Sequence, residues 1–130
     1  MTYAEIKDLV MHQINYDSED VSDFEPYIGA YVNDGYNEMA YAYAGEFVTN
    51  ASTTYPSLVN GADTPATPEW THKAIADWAT WCVYRNGSPA KQNRGYVYRQ
   101  SFEETRNRVR AMGGSTGITT KITNFSNIPD

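Results

Sequence analysis

Residues 67–114, "TPEWTHKAIADWATWCVYRNGSPAKQNRGYVYRQSFEETRNRVRAMGG", contain the start and stop signals of two consecutive helices. We predict that the first of them begins with Thr67 as N-cap and Pro68 at the first helical position, where the missing proline N–H costs nothing. Apolar residues then recur at helical spacing on one stripe. The stripe comprises Ala74, Ile75, Trp78, Trp81 and Cys82.

The second helix of this stretch is predicted over residues 89–112, after the turn "NGSP". Ser88 is its expected cap, and Gly113 ends it, as glycine commonly does just beyond a helix. Its apolar positions are four, three, four and three residues apart, which is typical of a seam between packed helices. They are Tyr98, Phe102, Thr105, Val109 and Met112. We predict that the core is built around Trp78, Trp81, Phe102 and Val109.

The first half of the chain contains two further helix starts. Thr2 and Glu5 form a capping box, which predicts a short amphipathic helix over residues 3–14. Ser22 and Glu25 repeat the pattern and predict a second helix reaching about residue 48, with a break near Gly35 in the turn-like "VNDGYN". Tyrosines lie on a second stripe of this helix, which favours either contact with a neighbouring subunit or rings lying on the protein's own surface. These are Tyr27, Tyr31 and Tyr41.

Two segments have no helical period. Residues 49–67 are rich in Thr, Ser, Asn, Gly and Pro, which predicts a long loop. Residues 113–130 change to Thr and Ile in partial alternation, which predicts an extended arm that contacts another chain, or else a disordered terminus. The sequence thus predicts an all-α fold, a small bundle of about four helices within residues 1–112, followed by an extended C-terminal arm over residues 113–130. The arm residues expected to make contacts are Ile118, Thr120, Ile122, Phe125 and Ile128.

Motifs for catalysis, metals and cofactors are missing from the sequence. The two histidines, His12 and His72, have no metal-ligand spacing, and Cys82 lies on an apolar stripe, which indicates a buried, inert thiol. The acidic stretch "DSEDVSDFE" lacks the glycine and the final glutamate of a calcium loop. No apolar run approaches the ~18 residues of a membrane helix. We therefore expect no catalytic residues, no metal, no cofactor and no membrane partner.

Charge is distributed unevenly in a chain whose net charge is -6. The first fifty residues contain ten acidic residues and a single Lys7, whereas residues 88–114 contain six of the ten basic residues. This polarity suits head-to-tail association of identical subunits, and it also suits a basic helix that contacts DNA. Pairing within the helix, as between Arg99 and Glu103, is a third use of these charges. The basic residues expected at a subunit interface are Arg99, Arg106 and Arg110.

Three stretches occur in an order that resembles the head–tail connector (adaptor) proteins of tailed bacteriophages. They are "TYAEIKDLV", "FEPYIGAYVNDGYNEMA" and "PEWTHKAIADWATWCVYRNGSPAKQNRGYVYRQSFEETRNRVRA", which together span most of residues 2–112. The shared features are an N-terminal helix, a long second helix, an aromatic and Ala-rich helix, a Gly-containing turn and a charged last helix. The Tyr-rich second helix and the long 49–67 loop depart from the family pattern.

The resemblance implies a structural virion protein in the neck, made in the bacterial host cytoplasm. Its subunits would form a ring, usually dodecameric, that docks under the portal protein, extends the DNA channel and joins the filled head to the next neck or tail protein. The arm from Ser115 to Asp130 would dock on the portal, and residues 49–67 would face the channel or the next neck protein. Non-specific contact with packaged DNA would be possible. The alternatives are another neck component, such as a head-completion protein, and a small helical DNA-binding or regulatory protein that uses the basic fourth helix.

Overall fold

The computed structural model describes residues 1–14, 18–44 and 55–112. They form four α-helices, α1 (Tyr3–Ile14), α2 (Ser18–Ala44), α3 (His72–Tyr84) and α4 (Pro89–Ala111), and one 3-10 turn at Glu69–Thr71. No strand is present within these three ranges. The predicted all-α bundle is therefore confirmed. The predicted arm, and residues 45–54 around the start of the predicted loop, lie outside the described residues.

Helix α3 is the centre of the bundle, because it packs against α1, α2 and α4. It is buried on nearly all sides, which is more than the single apolar stripe predicted from its sequence. The other helices each bury one face against it. The largest fully buried side chains include Ile6, Ile14, Ile28, Tyr36, Met39, Ile75, Tyr84 and Phe102.

Two predicted helix starts are confirmed by their hydrogen bonds. The Thr2 N–H donates to Glu5 Oε1 at 2.8 Å, and the Glu5 N–H donates to Thr2 Oγ1 at 3.2 Å, which is the reciprocal capping box. At the start of α4 the Lys91 N–H donates to Ser88 Oγ at 3.4 Å, and Pro89 is the first helical residue. Local sequence signals alone thus fix where α1 and α4 begin.

The predictions for α2 were wrong in two respects. The helix begins at Ser18, four residues before the predicted cap at Ser22, and it continues through Gly35 without a break. A Cβ atom at Gly35 would lie 3.0 Å from Trp78 Cβ and 3.1 Å from the Ile75 carbonyl oxygen. The glycine therefore allows α2 to cross α3 closely, and the packing against α3 keeps the helix continuous.

The start of α3 also differs from the prediction. Pro68 leads into the 3-10 turn, and α3 proper begins at His72, so Thr67 does not cap an α-helix. Instead the Thr67 hydroxyl accepts a hydrogen bond from Thr71 Oγ1 at 2.9 Å, and its carbonyl oxygen lies 2.8 Å from His72 Nε2. The polar groups of Thr67 are therefore paired with Thr71 and His72 within the turn that precedes the α-helix.

The described part of the predicted loop is held against α2 by polar side chains. Asn33 Oδ1 accepts from the Leu58 N–H at 2.8 Å, and its amide nitrogen donates to the Leu58 carbonyl at 3.0 Å. The Tyr36 hydroxyl accepts from the Ala66 N–H at 2.8 Å. Leu58 is buried in the core cluster. Residues 55–68 are therefore an irregular but packed part of the bundle.

Candidate interaction surface

All six residues predicted at a subunit interface lie on one face of the bundle. On α2, positions 27, 31, 34, 38 and 41 are spaced by four, three, four and three residues, so they share one helix face. On α4, positions 96, 99, 103, 106 and 110 share a face in the same way. We call these two stripes, with the two tryptophans of α3 between them, the seam surface. It comprises Tyr27, Tyr31, Asp34, Glu38, Tyr41, Trp78, Trp81, Tyr96, Arg99, Glu103, Arg106 and Arg110.

Two polar contacts link the elements of the seam surface, one between α3 and α2 and one between α4 and α2. The Trp78 indole N–H donates to Asp34 Oδ2 on α2 at 2.7 Å, and the Trp78 ring packs on Phe102 of α4 with centroids 4.8 Å apart. Arg106 Nη1 donates to Glu38 Oε1 at 3.2 Å, and its guanidinium lies 5.4 Å from the Phe102 ring centroid. Part of the predicted match between acidic α2 and basic α4 is therefore made inside one chain.

The other end of the seam surface carries an aromatic stack capped by a cation. The Trp81 and Tyr96 rings stack with centroids 5.2 Å apart, and the Arg99 guanidinium lies 5.6 Å from the Trp81 ring. Arg99 Nε also donates to Glu103 Oε2 at 3.1 Å, which is the predicted pair within α4. Tyr96 remains 48% exposed. The stack presents flat aromatic area and a cation to a partner.

The predicted interface residues differ in how accessible they are. Tyr27 is 56% exposed and Tyr41 is 41% exposed. Tyr31 is half-buried; burial raises the pKa of its phenol, and the nearby Arg85 guanidinium opposes that rise. Arg110 is exposed and forms no ion pair with any residue that the structure describes. It is the member of the arginine stripe best placed to meet a partner.

The four predicted core residues separate into two groups. Phe102 and Val109 are fully buried, whereas Trp81 is buried at the edge and Trp78 is only partly buried. Trp78 lies at the surface because its indole N–H needs an acceptor, and Asp34 supplies one there. The two tryptophans therefore belong to the seam surface as well as to the core. The five predicted arm residues, Ile118, Thr120, Ile122, Phe125 and Ile128, lie outside the described residues.

A buried carboxylate on the far side of α3 was missed by the sequence analysis. Asp77 accepts from Gln13 Nε2 of α1 at 3.0 Å, from Ser101 Oγ of α4 at 2.8 Å and from Lys73 Nζ at 3.0 Å. It links three helices through charge-assisted hydrogen bonds. Its only sequence signal is an acidic residue between Ala76 and Trp78, on a helix that is otherwise apolar.

The two most reactive buried side chains, Cys82 and His72, are respectively kept protonated and paired with a backbone group. Burial raises the pKa of the Cys82 thiol to about 12, so the thiol stays protonated at neutral pH. His72 is buried, with Nε2 facing the Thr67 carbonyl oxygen. In the described ranges no three His, Cys, Asp or Glu side chains cluster in a way that would hold a metal ion. Nor does any helix described here have the length and apolar character needed to cross a membrane.

Comparison with known proteins gave no match to a family model, to a curated protein or to a solved structure. The residues of the seam surface and their geometry are therefore the basis for assigning a function.

Proposed function

We propose that the protein is a structural virion component, a head–tail connector of a tailed bacteriophage. Identical subunits would form a ring under the portal, extend the DNA channel and join the filled head to the next neck or tail protein. The proposal is supported by the order of sequence features in residues 2–112. The all-α bundle is also the fold class that this resemblance implies.

The observation that carries the proposal is the composition of the seam surface. Tyr, Trp and Arg are the side chains enriched at protein interfaces, and here they share one face of a small domain. A ring needs such a face, because each subunit must contact its neighbours through unlike surfaces that repeat around the axis. Exposed Tyr27, Tyr41 and Tyr96 offer large contact area at low side-chain entropy cost.

The charge distribution indicates which parts of two neighbouring subunits would meet. Helix α4 carries six basic and two acidic residues, while the first fifty residues of the chain are strongly acidic. Two of the arginines are already engaged within the chain, Arg106 with Glu38 and Arg99 with Glu103. Arg110 is left to face the acidic half of a neighbouring subunit.

The test uses the full-length protein and the purified portal of the phage that encodes it. We expect native mass spectrometry to show a ring of subunits on the portal, and we expect Arg110→Glu to weaken this assembly at ordinary salt. Arg108→Glu makes the same change of charge at an exposed position of α4 that is not on the seam surface, and it is the matched control. Arg106→Glu is a poorer probe, because it places a carboxylate beside Glu38 and disturbs the fold itself.

Two results would contradict the proposal. If the wild-type protein does not bind the portal, the connector role is wrong. If Arg110→Glu assembles as well as Arg108→Glu, the role assigned to α4 in the ring is wrong. A duplex DNA titration of the same sample tests the DNA-binding alternative, which predicts a steep salt dependence with a slope of about -0.9 per neutralised phosphate.

A further inference from the structure

An apolar cleft lies where the ends of α2 and α4 meet the turn before α3. It has a volume of about 170 Å³ and is lined by Tyr43, Pro68, Trp70, Val109 and Met112. Val109 is fully buried, whereas Trp70 is 38% exposed and Met112 is 60% exposed. We call this site the apolar cleft. Large apolar side chains left in contact with water in this way are a favourable site for a further apolar group.

The apolar cleft has room for one aliphatic or aromatic side chain. A cavity of ~150 Å³ lined by apolar side chains holds a benzene molecule, so a cleft of this volume accommodates an Ile or Phe side chain. The guanidinium of Arg108 lies 4.5 Å from the Trp70 ring centroid and holds the indole at the edge of the cleft. A ligand without charge therefore suits the interior of the site, since its lining is apolar.

The chain itself continues from the edge of this cleft. Met112 is both a lining residue and the residue directly after the end of α4, and eighteen residues, 113–130, follow it in the sequence. They begin with Gly113 and Gly114, and glycine allows the chain to reverse direction sharply. The first apolar residue is Ile118, six positions beyond Met112, so the linking chain can reach up to about 20 Å. That reach exceeds what a return to the cleft requires.

We propose that the segment 113–130 docks in the apolar cleft of its own chain, with Ile118 as the side chain that enters it. Attachment at the edge of the cleft gives the segment a high effective concentration there, which favours it over the segment of a second copy. This docking does not depend on the proposed function. A second inference rests on the proposed function. If the protein is a connector, the arm must leave the cleft to reach the portal, so the cleft holds the arm until the portal offers a better site.

The test is a paramagnetic relaxation measurement on the full-length protein carrying a nitroxide label at Lys121→Cys. Native Cys82 does not compete for the label, because its thiol is buried and burial raises its pKa to about 12. The chain has three tryptophans, so three indole N–H signals are followed. We expect the Trp70 signal to lose most of its intensity and the Trp81 signal, about 16 Å further along the α3 axis, to lose much less.

Variants and a mixing experiment make the result specific. Ile118→Ser should restore the Trp70 signal, whereas Ile128→Ser, near the end of the segment, should not. In a mixture of isotope-labelled chains without nitroxide and unlabelled chains with it, the Trp70 signal should keep its intensity. Loss of intensity in that mixture would overturn the proposal in favour of a second copy. An unaffected Trp70 signal in the singly labelled protein would overturn it in favour of another occupant, such as residues 45–54. Neither outcome bears on portal binding, so the two proposals are tested separately.

Discussion

Gly95 sets how closely α4 approaches α3, and Gly95→Ala should separate them. A Cβ atom at this position would lie 2.7 Å from Tyr84 Cβ and 2.8 Å from Trp81 Cε3. Non-bonded carbon atoms are at their best at ~3.5–4.0 Å, so α4 would have to withdraw by about 1 Å. Tyr84 Cβ is attached directly to the α3 backbone and cannot rotate away. The change therefore strains the helix pair as a whole.

The expected cost follows from two opposing effects. An added methyl group in a well-packed contact costs roughly 1–3 kcal/mol, with the upper end expected where the clashing atom is fixed to a backbone. Replacing Gly by Ala within a helix returns up to ~1 kcal/mol. We therefore expect Gly95→Ala to lower the free energy of unfolding by about 2 kcal/mol, combining these two effects.

Urea unfolding followed by far-ultraviolet circular dichroism measures this change. Gly61→Ala is the control, because the new Cβ there would lie 3.4 Å from Ala4 Cβ, an ordinary contact. If Gly95→Ala unfolds at the same or a higher urea concentration than the wild type, helix propensity outweighs packing. The close α3–α4 crossing would then be refuted.

Three further predictions concern groups outside the seam surface. Asp77→Ala should lower the free energy of unfolding by about 2–4 kcal/mol, because it leaves the Gln13 and Ser101 donors unpaired at roughly 1–3 kcal/mol each; a urea titration in which it costs no more than Ser101→Ala would contradict this. The backbone N–H groups of Val59 and Asn60 lower the pKa of the Asp63 carboxyl. The Asp63 carboxylate therefore stabilises the turn fully at pH values above its pKa in the unfolded chain, about 3.9. This stabilisation is lost as the pH falls through the lower pKa of the folded protein. Hydrogen exchange at the Val59 amide, corrected for intrinsic rates, should lose protection in acid, and protection that is independent of pH would refute this. Cys82 should resist maleimide at pH 8 in the folded protein and react fully in denaturant, and rapid reaction of the folded protein would show that the thiol is accessible.

Parts of the fold that depend on neighbouring residues in sequence were predictable. The reciprocal bonds of Thr2 and Glu5, and the Ser88 cap before Pro89, are local signals, and both helices begin where these signals place them. Features that depend on a distant helix were not predictable. In the sequence, Gly35 predicts a break in the helix. In the structure it lies against Trp78 of α3, and this packing keeps α2 continuous.

The candidate site shows the same division. Helical spacing placed Tyr27, Tyr31 and Tyr41 on one stripe, and the pair between Arg99 and Glu103 follows from their separation by four residues. The partner of Arg106 could not be predicted, because Glu38 is 68 positions away and the pair requires α2 and α4 to be adjacent. Asp77 was missed for a related reason, since its donors come from three separate parts of the chain.

The connector proposal is tested most directly by cryo-electron microscopy of virions of the encoding phage, averaged about the neck axis. We expect a ring of small four-helix subunits beneath the portal, with the seam surface between neighbouring subunits and the segments 113–130 reaching the portal. A neck whose density is fully accounted for by other proteins would contradict it.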